Sequence, residues 1–391
     1  MKLSSRMSLI KPAATLAINS KALELKSQGI PVISLAVGEP DFDTPLYARE
    51  AAKKAIDAGF THYTQVGGIP ALRNAVANYI KRVHNIDGVT ADNIIVSNGG
   101  KQGLYSLMQT LLDPGDEVLI PAPYWTSYPE MVVMNEGVPV PVPATFENGY
   151  KVTPADLEAH LTEKTRMLVI NSPCNPTGAC YNREEMDAIL DWAVGHGLFI
   201  ISDEMYEQLV YEPATLVSAA AWFLRYPEQI AIANGLSKAY AMTGWRVGFT
   251  VAAPQIIKAM TMVQSQMTSN ICSIAQYASV AALEGPQDSI SVMRNEFLRR
   301  RDMAFAEIST WQGVRCLKPD GAFYLFLNVS ALLDEECPDD VAMCNKLLER
   351  GHVAAVPGAA FGAPGCLRLS YAVKDEVLTE ALKRMRSILV K

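Results

Sequence analysis

Short β-branched runs alternate with longer helical patterns from the N-terminal region to about Pro286, and this alternation restricts the fold more than any other feature of the chain. The runs are Val32 to Val37, Ile94 to Ser97, Glu117 to Pro121, Met167 to Asn171, Leu198 to Ser202, Ile230 to Asn234 and Arg246 to Ala252. Helical stretches such as Gln102 to Leu112, Arg183 to His196 and Pro254 to Gln266 separate most of them. Such runs read as strands, and strands joined through helices pair in parallel. A parallel sheet buries both faces, so the expected fold class is α/β, with a mostly parallel seven-stranded sheet covered by helices. After Pro286 the order changes. A long charged helix with Arg294, Glu296, Arg299, Arg300 and Arg301 leads to a strand Phe323 to Asn328, a helix near Asp340 to Arg350, strands near Val353 and Leu367, and a last helix from Asp375. This order predicts a second, smaller α+β domain joined by the N-terminal segment. Ligands in such folds bind beyond the C-terminal ends of strands and at domain seams.

A length of 391 residues is enough for two or three domains and a large core without disulfide or metal staples. The residues are 49% hydrophobic and 19% charged, which sets aside disorder, collagen and coiled coil. The net charge of −7 lacks the footprint of a nucleic-acid binder, although a local basic groove remains compatible with it. Five scattered histidines with no HExxH or His-x-His pattern do not predict a histidine-built metal site. Seven cysteines without a CxxC point to free thiols in a reducing, cytoplasmic compartment. No apolar run approaches the roughly 20 residues that span a bilayer. The acid-free stretch Met1 to Leu23 reads either as a transit peptide or as an arm followed by an amphipathic helix, Thr15 to Gln28.

Four polar segments stand at the expected strand ends. Ser97-Asn98-Gly99-Gly100-Lys101-Gln102-Gly103 opens a helix, where glycines and free N–H groups suit an anion, or simply a tight turn. It is neither a Walker A loop nor GxGxxG. Asn171-Ser172-Pro173-Cys174-Asn175-Pro176-Thr177-Gly178 forces an irregular turn that holds the Asn175 amide, or is a structural loop. Ser202-Asp203-Glu204-Met205-Tyr206 puts the Asp203 carboxylate at the mouth of a crevice, as acid, metal ligand, ring-nitrogen partner or helix cap. Finally, Lys238 sits in an otherwise uncharged stretch from Asn234, beside Ser237 and before Arg246. A lysine of this kind is a candidate amine nucleophile, able to form a Schiff base when its pKa is lowered, or a surface residue.

Taken together the segments resemble the class I/II pyridoxal-5′-phosphate (PLP) aminotransferases of fold type I, most closely the prokaryotic-type aspartate aminotransferases. The matching text also includes Lys11-Pro12-Ala13-Ala14-Thr15, Gly38-Glu39-Pro40-Asp41-Phe42-Asp43-Thr44-Pro45, Tyr63, Pro123-Tyr124-Trp125, Ala239-Tyr240-Ala241-Met242-Thr243-Gly244-Trp245-Arg246 and Arg368-Leu369-Ser370-Tyr371. The resemblance implies a large PLP domain, residues 46–285, and a small domain made of 1–45 with 286–391. It implies that Lys238 holds PLP covalently and then serves as the base, and that Asp203 pairs with the pyridine nitrogen. Asn175 and Tyr206 are expected at the ring's 3′ oxygen and Trp125 on its face. Gly99, Gly100 and Lys101 at the helix start, with Ser237 and Arg246, are expected at the phosphate. Tyr63 would reach that phosphate from a neighbouring subunit, which implies a homodimer with composite sites.

Arg368, helped by the backbone near Gly38, is the implied grip on the α-carboxylate. No arginine occurs between Arg246 and Arg294, so the device by which another branch binds the distal carboxylate is not expected, and Lys101 takes its place. The expected reaction is transamination of aspartate or glutamate with oxaloacetate or 2-oxoglutarate, in ping-pong fashion through pyridoxamine phosphate. Lys11 and Thr15 also match relatives that use prephenate, which keeps a prephenate or aromatic aminotransferase as the alternative, followed by a Cβ lyase. Cys174 stands where many relatives have Asn or Ser, and Gly235 where the other branch has Ser. A PLP-binding regulator with a DNA-binding module is not expected, because the matching text begins at Lys11.

Overall fold

The structure is a computed structural model that describes residues 3–12 and 14–390. Ala13 and the Thr15 side chain, both part of the expected matching text, lie outside the described residues. The strands are β1 (Ile33–Ser34), β2 (Ile94–Asn98), β3 (Glu117–Ala122), β4 (Val138–Pro143), β5 (Thr165–Asn171), β6 (Phe199–Asp203), β7 (Ile230–Gly235), β8 (Val247–Val251), β9 (Arg315–Cys316), β10 (Tyr324–Asn328), β11 (Val353–Ala354), β12 (Val356–Pro357) and β13 (Cys366–Ser370). The α-helices are α1 (Ala14–Ser27), α2 (Leu46–Asp57), α3 (Pro70–His84), α4 (Gly100–Leu111), α5 (Ser127–Met134), α6 (Pro154–Glu158), α7 (Arg183–Gly195), α8 (Ala220–Arg225), α9 (Pro254–Met267), α10 (Ser273–Glu284), α11 (Asp288–Ile308), α12 (Asp340–Arg350) and α13 (Asp375–Leu389).

Seven strands form the main sheet, in the order β2-β8-β7-β6-β5-β3-β4. All neighbours are parallel except β8, which runs antiparallel to both β2 and β7. The physical reason lies in the short β7–β8 connection, Leu236 to Arg246, which has no room for the crossover that a parallel partner needs. Period-two alternation then sorts side chains to the two faces. Leu168, Ile170 and Ile200 enter one buried cluster with Tyr79 and Leu190, while Met167, Val169 and Ile201 enter another with Leu104 and Met260. Both faces are therefore cores, and the strands read as continuous apolar runs.

The sheet has the expected number of strands, with one exchange of membership. The run Val32 to Val37 is not a strand of this sheet: only Ile33–Ser34 pairs, in parallel with Val353–Ala354. Beyond it the chain stays extended, with the Leu35 N–H donating to Ala354 O at 2.9 Å and Leu35 O accepting from the Ser370 N–H at 2.8 Å. The seventh strand is Val138–Pro143, whose alternating prolines hide it from a pattern search. Proline cannot donate to a ladder, but β4 is the edge strand beside β3, so missing donors cost little there.

A second, antiparallel sheet has the order β12-β13-β10-β9. Leu325, Leu327, Leu367 and Leu369 pack with Phe297 and Ile308 of α11 and with Leu378, Leu382 and Met385 of α13. The charged face of α11 has specific partners. Arg300, 7% exposed in its side chain, holds Asp41 at 2.7 Å and Glu296 at 3.0 Å, and Arg301 donates to Pro319 O at 2.9 Å. These contacts tie the extended segment after β1 to α11. The sheet core makes a direct test. Leu168 is fully buried, and Leu168→Ala is expected to destabilise the chain by about 2–5 kcal/mol, measured as a lowered urea midpoint.

Candidate active site

Parallel pairing carries the C-terminal ends of β5, β6 and β7 to one edge: Asn171 lies opposite Asp203, and Asp203 opposite Ala233. Because β8 is antiparallel, its N-terminal end arrives at the same edge, with Val247 opposite Asn98 and Gly248 opposite Gly235. The backbones there nearly touch. A Cβ added to Gly248 would stand 2.3 Å from the Gly100 nitrogen, so only glycine lets α4 start against β8. The four polar segments of the sequence thus converge on one cavity of about 400 Å³.

Asp203 is 5% exposed. Tyr128 donates its hydroxyl to Asp203 Oδ2 at 2.5 Å, and the Met205 N–H donates to Oδ1 at 3.1 Å. Burial pushes the carboxyl up to about 6, although both hydrogen bonds pull the other way. Behind it, Asn171 donates its amide to Asp203 O at 2.9 Å and accepts the Asn175 N–H at 2.9 Å, so the irregular turn is pinned to the strand end. An acid fixed in this way is suited to meeting a buried N–H cation, which would bring it back to the charged form.

The Lys238 amine donates to the Gly38 carbonyl at 2.5 Å. Burial lowers its pKa to about 8, opposed by Glu39 and reinforced by Arg368 and Arg246. A lysine held there keeps a usable fraction of neutral amine near physiological pH, as a nucleophile or a base requires. Arg368 is 2% exposed. Its Nη1 donates to Asn175 Oδ1 at 3.0 Å and its Nη2 to Ala36 O at 2.6 Å, while its buried Nε has no partner. The guanidinium lies 4.5 Å from the Tyr324 ring centre and 5.0 Å from that of Phe361. Among the described residues no carboxylate stands in ion-pair distance of it. A buried cation with no carboxylate beside it is suited to an incoming carboxylate.

Gly99, at φ +80°, turns the chain from β2 into α4, and a Cβ on it would lie 2.3 Å from Arg246 Nη2. The first-turn amides of α4 have no intrahelical acceptor and open toward the cavity side lined by Gly100, Ser237 and Arg246. Lys101 stands 4.9 Å over the Trp125 ring, and burial together with Arg246 lowers its pKa. Trp125 meets Tyr128 edge to face, with centroids 5.3 Å apart. The Tyr206 and Tyr324 hydroxyls hydrogen-bond at 2.8 Å.

Of the residues singled out in the sequence, Gly38, Gly100, Lys101, Trp125, Asn175, Asp203, Tyr206, Ser237, Lys238, Arg246 and Arg368 all line this cavity. Gly99 frames it from behind Arg246. Tyr63 does not reach it and points outward, 91% exposed. Three contributors escaped the sequence reading. Tyr128 follows Trp125 by one helical turn, a spacing that could have flagged it. Asn171 opens a polar segment already singled out, four residues before Asn175, whereas Tyr324 had no such signal, since it arrives through the pairing of β10 with β13, opposite Ser370.

The profile of the family "Aminotransferase class I and II" matches residues 30–385. The chain is 45% identical to an aspartate/prephenate aminotransferase of Cereibacter sphaeroides over 98% of each chain. It is also 45% identical to an aspartate aminotransferase of Bacillus subtilis over the full length of both. Among solved structures, the aspartate aminotransferase from Thermus thermophilus with maleate is 42% identical, covers both chains completely and superposes with a TM-score of 0.94. With fold, cavity and sequence in agreement, this chain belongs to the class I and II aminotransferases, enzymes of fold type I that work with pyridoxal 5′-phosphate.

Proposed function

We propose that the chain transaminates acidic L-amino acids, aspartate and glutamate, with oxaloacetate and 2-oxoglutarate as the keto partners. The observation that carries this reading is the charge of the cavity: Lys101, Lys238, Arg246 and Arg368 face only Asp203 and Glu39 within a chain whose net charge is −7. With Lys238 assigned to the cofactor, Arg246 to its phosphate and Arg368 to the α-carboxylate, Lys101 is left for a second carboxylate. The relatives named for aspartate and the solved relative with maleate, itself a dicarboxylate, support the same assignment.

The donor set fits PLP. The unpartnered first-turn amides of α4, Ser237 and Arg246 suit the phosphate, and Asp203 suits a protonated ring nitrogen. PLP supplies the electron sink that makes loss of the substrate Cα proton feasible. Lys238 would hold the cofactor and could then carry that proton on its Nζ. Asp203, kept in place by Tyr128 and the Met205 amide, would keep the ring nitrogen protonated. Asn175, whose Oδ1 is taken by Arg368, has its NH₂ left for the ring's 3′ oxygen, which the Tyr206 hydroxyl would share, and Trp125 would lie against the ring. Arg368 would orient the α-carboxylate together with the backbone near Gly38.

A second reading, prephenate as acceptor, draws on a larger cavity of about 700 Å³ that shares Lys101 and Arg246 and is lined further by Lys11, Tyr105 and Tyr124. That space suits a bulkier dicarboxylate, and several relatives carry prephenate in their names. The proposed domain division, 46–285 against 1–45 with 286–391, is supported by an apolar cluster around each sheet, with Tyr206, Leu209 and Tyr211 reaching across into the second and Ile290 into the first. Tyr63, with Leu46 and Met262 also well exposed, supports a homodimer in which Tyr63 completes the neighbouring site. Seven free cysteines support a cytoplasmic location, and no described helix is long and apolar enough to cross a membrane.

Lys101→Ala is expected to lower kcat/KM for aspartate about 10- to 100-fold, the range of one charged hydrogen bond, with alanine turnover much less affected. An unchanged aspartate value would overturn the role of Lys101. Attachment of PLP to the cofactor-free protein should accelerate as pH rises through about 8, because burial favours the neutral, nucleophilic form of Lys238. Stopped-flow absorbance checks this, and a pH-independent rate would count against it. Light scattering should give a dimer, and Tyr63→Ala should weaken PLP retention during dialysis without changing the mass.

A further inference from the structure

Asp203 and Tyr206 face the main cavity, while the intervening Glu204 and the next residue, Glu207, line no part of it. Both glutamates are 1–2% exposed and meet His84, the last residue of α3, whose side chain is 5% exposed. Each carboxylate is held by one oxygen only. Glu204 Oε1 accepts from the Ser202 hydroxyl and the Ala219 N–H, both at 2.8 Å. Glu207 Oε1 accepts from the Tyr79 hydroxyl and from Asn234 Nδ2, the latter at 2.6 Å. The other oxygen of each, and His84 Nε2, have no hydrogen-bond partner, although Nε2 stands 3.1 Å from Glu207 Oε2.

Burial, with Glu207 beside it, pushes Glu204 well above the usual carboxylate range, and against the effect of burial Glu207 raises His84. The trio therefore balances its charge only while one carboxyl keeps a proton, which a bound cation would displace. Among the described residues no lysine or arginine stands in ion-pair distance of either glutamate. Buried charge without a counter-ion is costly, and metal ligation is one of the ways in which proteins settle it. We propose that His84, Glu204 and Glu207 form a site for a first-row divalent cation of the zinc type. One ligand atom from each lies within 4.8 Å of the others. A tetrahedral ion with ligands at about 2.0–2.2 Å needs the widest pair to close by at most about 1.4 Å, which side-chain rotation can supply. One nitrogen and two carboxylate oxygens suit zinc, manganese or cobalt better than calcium or magnesium. The donors on Glu204 Oε1 and Glu207 Oε1 act as the outer partners that aim the free oxygens inward. The bound ion would join the end of α3 to the segment carrying Asp203 and Tyr206, bracing both from behind. His84 lies more than a hundred residues from Glu204, so no local spacing announces the trio.

The test uses the holoenzyme, dialysed against EDTA and titrated with Zn²⁺ by calorimetry and with Co²⁺ by visible absorption. Expected are about one ion per chain, a raised Tm with Zn²⁺, and the d–d bands of cobalt with nitrogen and oxygen ligands. His84→Gln and Glu204→Gln should each weaken binding at least about tenfold. The wild-type cobalt spectrum decides the matter should either variant fail to fold. Absence of uptake, a thiolate charge-transfer band, or equal binding by both folded variants would overturn the proposal.

Discussion

Parallel pairing of β5, β6 and β7 is the constraint on which the rest depends. It aligns three strand ends at one edge and forces both sheet faces to be apolar, so polar chemistry concentrates at that edge. The single antiparallel strand, β8, then brings Arg246 and the glycine contact with α4 to the same place. Without that reversal the loop carrying Lys238 would have to be a long crossover, and the lysine would not be held against Gly38.

Desolvation works on this edge in opposite directions. It raises Asp203 to about 6 and lowers Lys238 to about 8, bringing an acid and an amine toward the same pH range although their ordinary values are far apart. The same burial leaves Arg368 with no acidic partner among the described residues and a buried Nε without an acceptor. Such a cation is costly in the resting protein and is compensated when a carboxylate arrives, which links substrate binding to relief of an electrostatic penalty. The aromatic rings of Tyr324 and Phe361 flank the guanidinium and fix its plane.

Much of the fold was legible because its cause is local. The strands at Met167 to Asn171 and Ile230 to Asn234 are short, apolar and β-branched, and they appear where that pattern places them. Val138–Pro143 was not legible, since proline breaks the strand signal and only an edge position makes it tolerable. Val32 to Val37 misled in the opposite way: its pattern is that of a strand, but its partners are Val353–Ala354 and the end of β13, and most of it runs as an extended tether toward Gly38. Residues of the cavity were legible where they sit in dense polar text, as Asp203, Asn175 and Lys238 do. Tyr324 lies in ordinary strand sequence and acquires its place through strand pairing.

By itself, then, the sequence determined the α/β class, the order of most elements and the family, because hydrophobic periodicity and short motifs depend on neighbours along the chain. The tertiary structure alone decided the reversal of β8, the partners that tune Asp203, Lys238 and Arg368, and the meeting of His84 with Glu204 and Glu207. Those are matters of burial and of contact between residues tens to hundreds of positions apart. Their energies come from removing water around charged groups, a quantity set by three-dimensional packing and absent from local residue order.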